Sequence, residues 1–187
     1  MAKTSFYTTE ELSSLGIASY GIDVKISRNA KFYSPEEIKI GNHVRIDDFC
    51  ILSGKITIGN YVHINAFSGL FASDAGIQLE DYVNMSSRIT IYAISDDYSG
   101  ETMTSPLIPE KYKKLTKEKV TIGKYTIIGT GSSILPGVNV GEGCAIGSMS
   151  LVKKDLKPWG IYAGIPCKFI KARSKNLLSL IREEYDE

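Results

Sequence analysis

The feature that most constrains this chain is a six-residue beat. Between Val120 and Lys154, aliphatic residues return every six positions, at Ile122, Ile128, Ile134, Val140, Ile146 and Val152. A second, smaller set returns four residues after each, at Thr126, Ser132, Val138, Cys144 and Ser150. A helical period of 3.6 or a strand period of 2 would scatter these residues over several faces. A chain that turns a corner every six residues puts them all inside. Three hexads then close one triangular coil of 18 residues, and stacked coils form a parallel β-helix whose core is the aliphatic column.

The same arithmetic holds earlier. Ile40, Ile46, Leu52, Ile58 and Ile64 are six apart, with Val44, Cys50, Ile56, Val62 and Ser68 four after each. From Leu70 the next ladder position is Leu79, nine on, so three extra residues sit in the stretch from Phe71 to Gly76. Leu79, Met85 and Ile91 resume the beat with Val83 and Ile89 as partners. The next match, Ile122, comes 31 residues later, which is one hexad plus about 25 inserted residues. This excursion, about 93–117, is the one long interruption, and loops that leave a rigid scaffold carry function disproportionately.

The ends are expected to differ. Residues 1–21 lack the repeat, and Thr8-Thr9-Glu10-Glu11 has the form of a capping box, so a short helix is expected over the open end of the first coil. Ile22, 18 before Ile40, is expected to begin the ladder, with an irregular first coil because Arg28 and Ser34 hold the next two hexad positions. Pro35-Glu36-Glu37 reads as an exposed corner. Pro158 falls 18 beyond Val140, and Trp159 is expected to pack across the last coil. The β-helix thus spans 22–173. Residues 174–187 carry Leu177, Leu178, Leu180 and Ile181 at helical spacing behind Ser174, which predicts an amphipathic C-terminal helix capped by that serine.

Composition narrows the partners. With 187 residues and 43% apolar content, one domain with a real core is expected. The 22 basic and 21 acidic side chains leave a net charge of +1, which argues against nucleic-acid binding through a broad basic footprint. No apolar run reaches membrane-span length, and the start lacks a signal peptide's apolar centre, so a cytoplasmic address is expected. Three cysteines fit that address. Cys50 and Cys144 fall on small inward positions, and Cys167 lies in the Gly164–Lys168 turn, so all three read as structural.

Two groups of residues stand out as candidate chemistry. Stacking the coils places Arg45, His63 and Asn84 in one outward polar column, with His63 a candidate base and His43 a weaker one. The excursion concentrates three carboxylates, Asp96, Asp97 and Glu101, within six residues. A solvated turn would use the same residue types. The lysine-rich stretch 110–114 reads as solubilising.

The pattern [LIV]-G-x-x-[STAV]-x, carried at Ile40-Gly41, Ile58-Gly59, Ile122-Gly123, Ile128-Gly129 and Ile146-Gly147, resembles the hexapeptide-repeat acyltransferases over about residues 22–173. The resemblance implies an all-β, left-handed parallel β-helix with a protruding loop, a hand contrary to ordinary crossovers. It also implies a homotrimer of parallel prisms, with acyl-CoA in the groove between two of them. Sugar acetyltransferases of the galactoside and maltose kind carry Asn at the position of Asn84 and a catalytic histidine five residues after the aliphatic that Ile91 matches. Here that position is Asp96.

The departure favours an amine acceptor. A hydroxyl must lose its proton as it attacks a thioester and needs a matched base such as histidine, whereas a carboxylate with a pKa near about 4 is poorly matched. A neutral amine is already nucleophilic, and a carboxylate can hold its ammonium form and take up the released proton. The chain is similar to acyltransferases of nucleotide-linked 4-amino-4,6-dideoxyhexoses made for surface polysaccharides. On that likeness Asp96, with Asp97 or Glu101, positions the amine, His63 is a second base or sugar contact, and Asn84 and Tyr92 bind substrate. For the donor, acetyl-CoA, the resemblance carries over Thr130 and Ser148 beside the pantetheine arm, Lys153 and Lys154 beside the CoA, and Lys168, Lys171 and Arg173 near its phosphates. No metal is implied.

Four other readings compete with this one. O-acetylation of a sugar or glycan hydroxyl is the alternative, and a non-catalytic solenoid the reading from another class. A γ-class carbonic anhydrase needs three metal-binding histidines, and the chain has two. A nucleotidylyltransferase fusion is not expected at this length.

Overall fold

The computed structural model, which describes residues 5–185, turns the six-residue beat into a left-handed parallel β-helix of about seven coils. One face stacks Lys25–Ile26, Arg45–Ile46, His63–Ile64, Asn84–Met85, Ile127–Ile128, Ala145–Ile146 and Gly160–Ala163. A second is built from Lys31–Tyr33, the start of Ile51–Ile58, the start of Gly69–Leu79, Thr90–Tyr92, Ser133–Ile134 and Leu151–Val152. The third carries Ser19–Tyr20, Ile38–Ile40, the ends of the two long strands, Val120–Ile122 and Asn139–Val140. The long strands Ile51–Ile58 and Gly69–Leu79 run round a corner and join the last two faces.

Both ladders point inward. Ile26, Ile46, Ile64, Met85 and Ile128 stack in register as one fully buried column. The four-after set, including Cys50, Thr126, Ser132, Cys144 and Ser150, is buried beside it. Replacing one of these isoleucines by alanine is expected to cost about 2–5 kcal/mol.

The two sequence interruptions prove to be neighbours. Leu52 pairs with Leu70, 18 apart, but Ile56 pairs with Ile77, 21 apart, so the three extra residues form a bulge between them. Asp74 in that bulge pairs with Lys117 at 2.9 Å, which lies at the base of the excursion. There Ile94–Ser95 runs antiparallel to Thr116–Lys117. The bulge braces the loop where it leaves and returns.

The first coil corrects the expected starting point. Ile22 is 68% exposed. Tyr20 and Ile26 are the residues opposite Ile40 and Ile46, with Phe32 opposite Leu52. The beat holds at Tyr20, Ile26 and Phe32, and the Pro35–Glu37 helical turn then adds two residues, so counting back by 18 lands two residues late. At the other end Leu156, not Pro158, bridges to Val140. Trp159 does not cross the open end; it stands on a corner and approaches Tyr125 at 6.4 Å. It passes over Gly143, where any Cβ would lie 2.4 Å from the indole. Tyr162, stacked above Ile146, closes the core column instead.

The caps form largely as expected. The helix Thr9–Leu12 has the capping box, Thr8 and Glu11 each bonding the other's backbone N–H, and it buries Leu12. Glu11 also takes both guanidinium nitrogens of Arg28, tying cap to first coil. Arg28 at a nominal ladder position therefore serves the cap. The C-terminal helix runs Leu177–Tyr185, which starts too late for Ser174 to cap it: Ser174 Oγ accepts from Asn176 N–H, ahead of the first helical residue. Residues 1–4 and 186–187 of the expected end segments lie outside the described residues.

Candidate active site

The antiparallel pair at the base of the excursion aims the following residues, Asp96 onward, over the second face. Two cavities open there, and Tyr92, Ile94, Ser95 and Asp96 belong to the walls of both. One, of about 570 Å³, is completed by Tyr98, Leu135, Pro136 and Leu151, an apolar lining toward the C-terminal coils. The other, of about 440 Å³, lies under the loop and adds Phe71, Glu110 and Lys113. Asp96 is exposed. Tyr92 stacks on Phe71 at 5.3 Å, which fixes a flat aromatic wall beside the carboxylate.

The other two loop carboxylates behave differently. Asp97 accepts from the backbone N–H and hydroxyl of both Ser99 and Thr102 at 2.8–3.1 Å. These bonds, led by the Ser99 N–H, hold its carboxyl down at about 2. With four donors on its two oxygens, Asp97 braces the loop. Glu101 stands exposed and lines neither cavity. Asp96 is thus the one of the three that lines the cavities.

His63 and Asn84 do share one outward column, in register with Arg45 below and Ile127 above. His63 Nε2 lies 2.7 Å from Asp47 Oδ2, and Arg45 Nε donates to Oδ1 at 2.7 Å. Burial alone would raise the Asp47 pKa, but the bonds from His63 and Arg45 outweigh it and keep the group below the ordinary carboxylate range. This column belongs to the first face and Asp96 to the second, so one chain places the two candidate bases on different faces. Sequence reading missed Asp47, although its position is legible: it lies two residues beyond Arg45, on the same side of the strand.

The residues expected to meet the donor divide into three places. Thr130 and Ser148 follow the first face at one corner, a coil apart, and Thr130 Oγ1 donates to the Ser87 carbonyl at 2.7 Å. The same corner exposes Phe49, Phe67 and Met149, with Phe49 and Phe67 stacked at 5.1 Å. Lys153 and Lys154 line a small cavity against Cys167, whose N–H bonds the Leu151 carbonyl. Through Leu151 they adjoin the apolar cavity of Asp96. Lys168 and Lys171 lie on Lys168–Ala172, the exposed edge strand of the first face. Arg173 Nη1 donates to the carbonyls of Tyr125, Gly143 and Cys144 at 2.8–3.1 Å, which staples the last coil to the corner.

The thiols behave as structural groups. Burial pushes Cys50 up to about 11 and raises Cys144 and Cys167. Among the described residues no group of three or more metal-ligating side chains gathers, and no helix is long and apolar enough to cross a membrane.

The sequence and fold are similar to those of known proteins. The sequence profile described as bacterial transferase hexapeptide (six repeats) matches residues 37–72 and 119–154. The dTDP-4-amino-4,6-dideoxy-D-glucose acyltransferase of Escherichia coli is 44% identical over 173 residues, 91% of this chain and 90% of that protein. The N-acyltransferase AntD of Bacillus cereus, solved with dTDP and 3-hydroxybutyryl-CoA, is 48% identical, with a TM-score of 0.96 over 98% of each chain. A serine-to-cysteine variant of AntD, solved with dTDP-4-amino-4,6-dideoxyglucose and coenzyme A, matches with the same identity, TM-score and coverage.

Proposed function

The chain belongs to the bacterial hexapeptide-repeat transferases, and we propose that it transfers an acyl group from acyl-CoA to the amine of a nucleotide-linked 4-amino-4,6-dideoxyhexose. The observation that carries this reading is Asp96, the one loop carboxylate in the walls of both cavities. Near-full-length similarity to enzymes named for this acceptor supports it.

In this mechanism Asp96 holds the sugar ammonium and orients it toward the thioester. The ammonium gives one proton to solvent by way of Asp96; the free amine then attacks the carbonyl carbon and the C–S bond breaks. The proton lost by nitrogen ends on the departing CoA thiolate, directly or by way of Asp96. The products are an amide and free CoA. A carboxylate suffices because the nucleophile is the amine itself, and much of the acceleration comes from holding two substrates together. The apolar cavity of Tyr98, Leu135 and Leu151 receives the acyl group, and Lys153 and Lys154 flank the donor further up the same face.

We also propose that the unit is a homotrimer. The exposed Phe49 and Phe67, stacked at one corner, and Met149 further along it support it, since large apolar groups gathered on one corner suit an interface, and a threefold ring of prisms closes. A cytoplasmic address and a product destined for surface polysaccharide complete the reading.

The test is free-thiol release from acetyl-CoA and from 3-hydroxybutyryl-CoA, with dTDP-4-amino-4,6-dideoxyglucose offered beside its 4-hydroxy counterpart. Turnover on the amine alone is expected. Turnover on the hydroxyl sugar would move the reading to O-acylation and return His63 to the centre of the mechanism; turnover on neither would refute the acceptor.

A further inference from the structure

The cavity under the loop holds a side chain with no role in the scheme above. Lys113 lies in a lysine-rich stretch that reads as solubilising, yet its side chain is only 5% exposed and forms part of the cavity wall that also contains Asp96. Its Nζ pairs with Glu110 at 2.8 Å, and that glutamate is 81% exposed. An ammonium has three donors, and among the described residues Glu110 is the one partner of this one. Removing a lysine charge from water is costly unless it is well paired. Glu110 takes one of these donors, and Lys113 also lines an open volume of about 440 Å³.

We propose that Lys113 binds the diphosphate of the nucleotide sugar, and that Glu110 is a stand-in that occupies it until substrate arrives. The inference rests on the reading of Asp96 as the amine anchor. A 4-amino-hexopyranosyl nucleotide carries its cation at C4 and its phosphate on C1, at opposite ends of the ring. The cavity has a carboxylate and an ammonium in its wall, together with the stacked Phe71 and Tyr92 rings as a surface for the sugar. The wall thus supplies a charge of opposite sign for each charged end of the ligand. Backbone ties hold the lysine in place: Met103 N–H bonds the Tyr112 carbonyl and Lys113 N–H the Glu110 carbonyl. Coenzyme A also carries a diphosphate, so the two ligands must be separated by experiment.

Calorimetric titration of the full-length protein with dTDP and, separately, with CoA tests the assignment. Lys113→Met is expected to weaken dTDP binding about tenfold, to raise KM for the nucleotide sugar with kcat nearly unchanged, and to leave CoA affinity as in the wild type. Glu110→Gln, which removes the competitor, is expected to tighten dTDP binding about twofold or more. Unchanged dTDP affinity in Lys113→Met, or a loss confined to CoA, overturns the proposal. Weaker dTDP binding in Glu110→Gln overturns it too, even where Lys113→Met fails to fold. A wild type that binds no dTDP sinks both this inference and the proposed acceptor; one that binds dTDP while Lys113→Met matches it sinks this inference alone.

Discussion

Asp47 clamps His63 from the neighbouring coil: its Oδ2 lies 2.7 Å from the ring Nε2, while Arg45 holds Oδ1 at the same distance. An ionised carboxylate only accepts, so Nε2 carries the proton and Nδ1 is the nitrogen left for other work. The folded pKa of Asp47 is depressed from an unfolded value near about 3.9. Its charge therefore stabilises the fold above that value, and the contribution is lost as pH falls through the folded pKa. Asp47→Asn is expected to cost about 1–2 kcal/mol at neutral pH, with the gap to wild type closing below about pH 4. Urea unfolding from pH 3 to pH 7 checks it, and a gap that widens toward acid would contradict the clamp.

If Asp96 anchors the amine, Asp96→Asn keeps the shape and removes the charge. Loss of kcat/KM on the amino sugar by about 100-fold, roughly 2.7 kcal/mol, is expected, with CoA binding unchanged. His63→Asn, on another face, is expected to lose less than about tenfold. Steady-state kinetics on the two variants decide it, and near-full turnover in both would leave the chemistry without a residue.

Asp97 has a different signature. Its carboxylate, held at about 2 by the Ser99 and Thr102 bonds, organises the loop above its unfolded pKa and is released only as pH falls toward about 2. Asp97→Ala is expected to speed hydrogen exchange at the Ser99 and Thr102 amides and to raise KM for the sugar about fivefold while lowering kcat less. A fall in kcat as large as that of Asp96→Asn, with exchange unchanged, would restore Asp97 to the chemistry.

What could be read from the sequence follows from the repeat. Within the beat, side chains are fixed by counting, so the core ladders, the column of Arg45, His63 and Asn84, and the 25-residue excursion could all be located in advance. Counting failed where residues are inserted without an aliphatic to mark them. The two extra residues at Pro35–Glu37 displaced the start from Tyr20 to Ile22, and the shortened last coil put Leu156 where Pro158 was expected. Inside the excursion nothing repeats, so the roles of Asp96, Asp97 and Glu101 were indistinguishable from residue type alone. Lys113 had no signal at all, because a buried lysine and a solvated one are written with the same letter.

The corner that carries Trp159 offers a test of how the prism is held together. His43, Tyr61, Tyr82 and Tyr125 stack in successive coils at 4.6, 4.9 and 5.2 Å, each with a positive φ of 55–60°. That conformation costs a residue with a Cβ about 1 kcal/mol or more, so the stack must offset strain at every level. Tyr82, with a ring on each side, loses two stacking contacts worth about 0.5–1.5 kcal/mol each when truncated. Tyr82→Ala keeps the strain and loses the rings, and is expected to cost about 2–3 kcal/mol including lost burial. Tyr82→Gly loses the same rings but also the strain, and should come out more stable than the alanine variant by about 1 kcal/mol. Thermal unfolding of the pair separates the two effects: alanine equal to or better than glycine would show that the corner backbone is unstrained and that the rings merely occupy it.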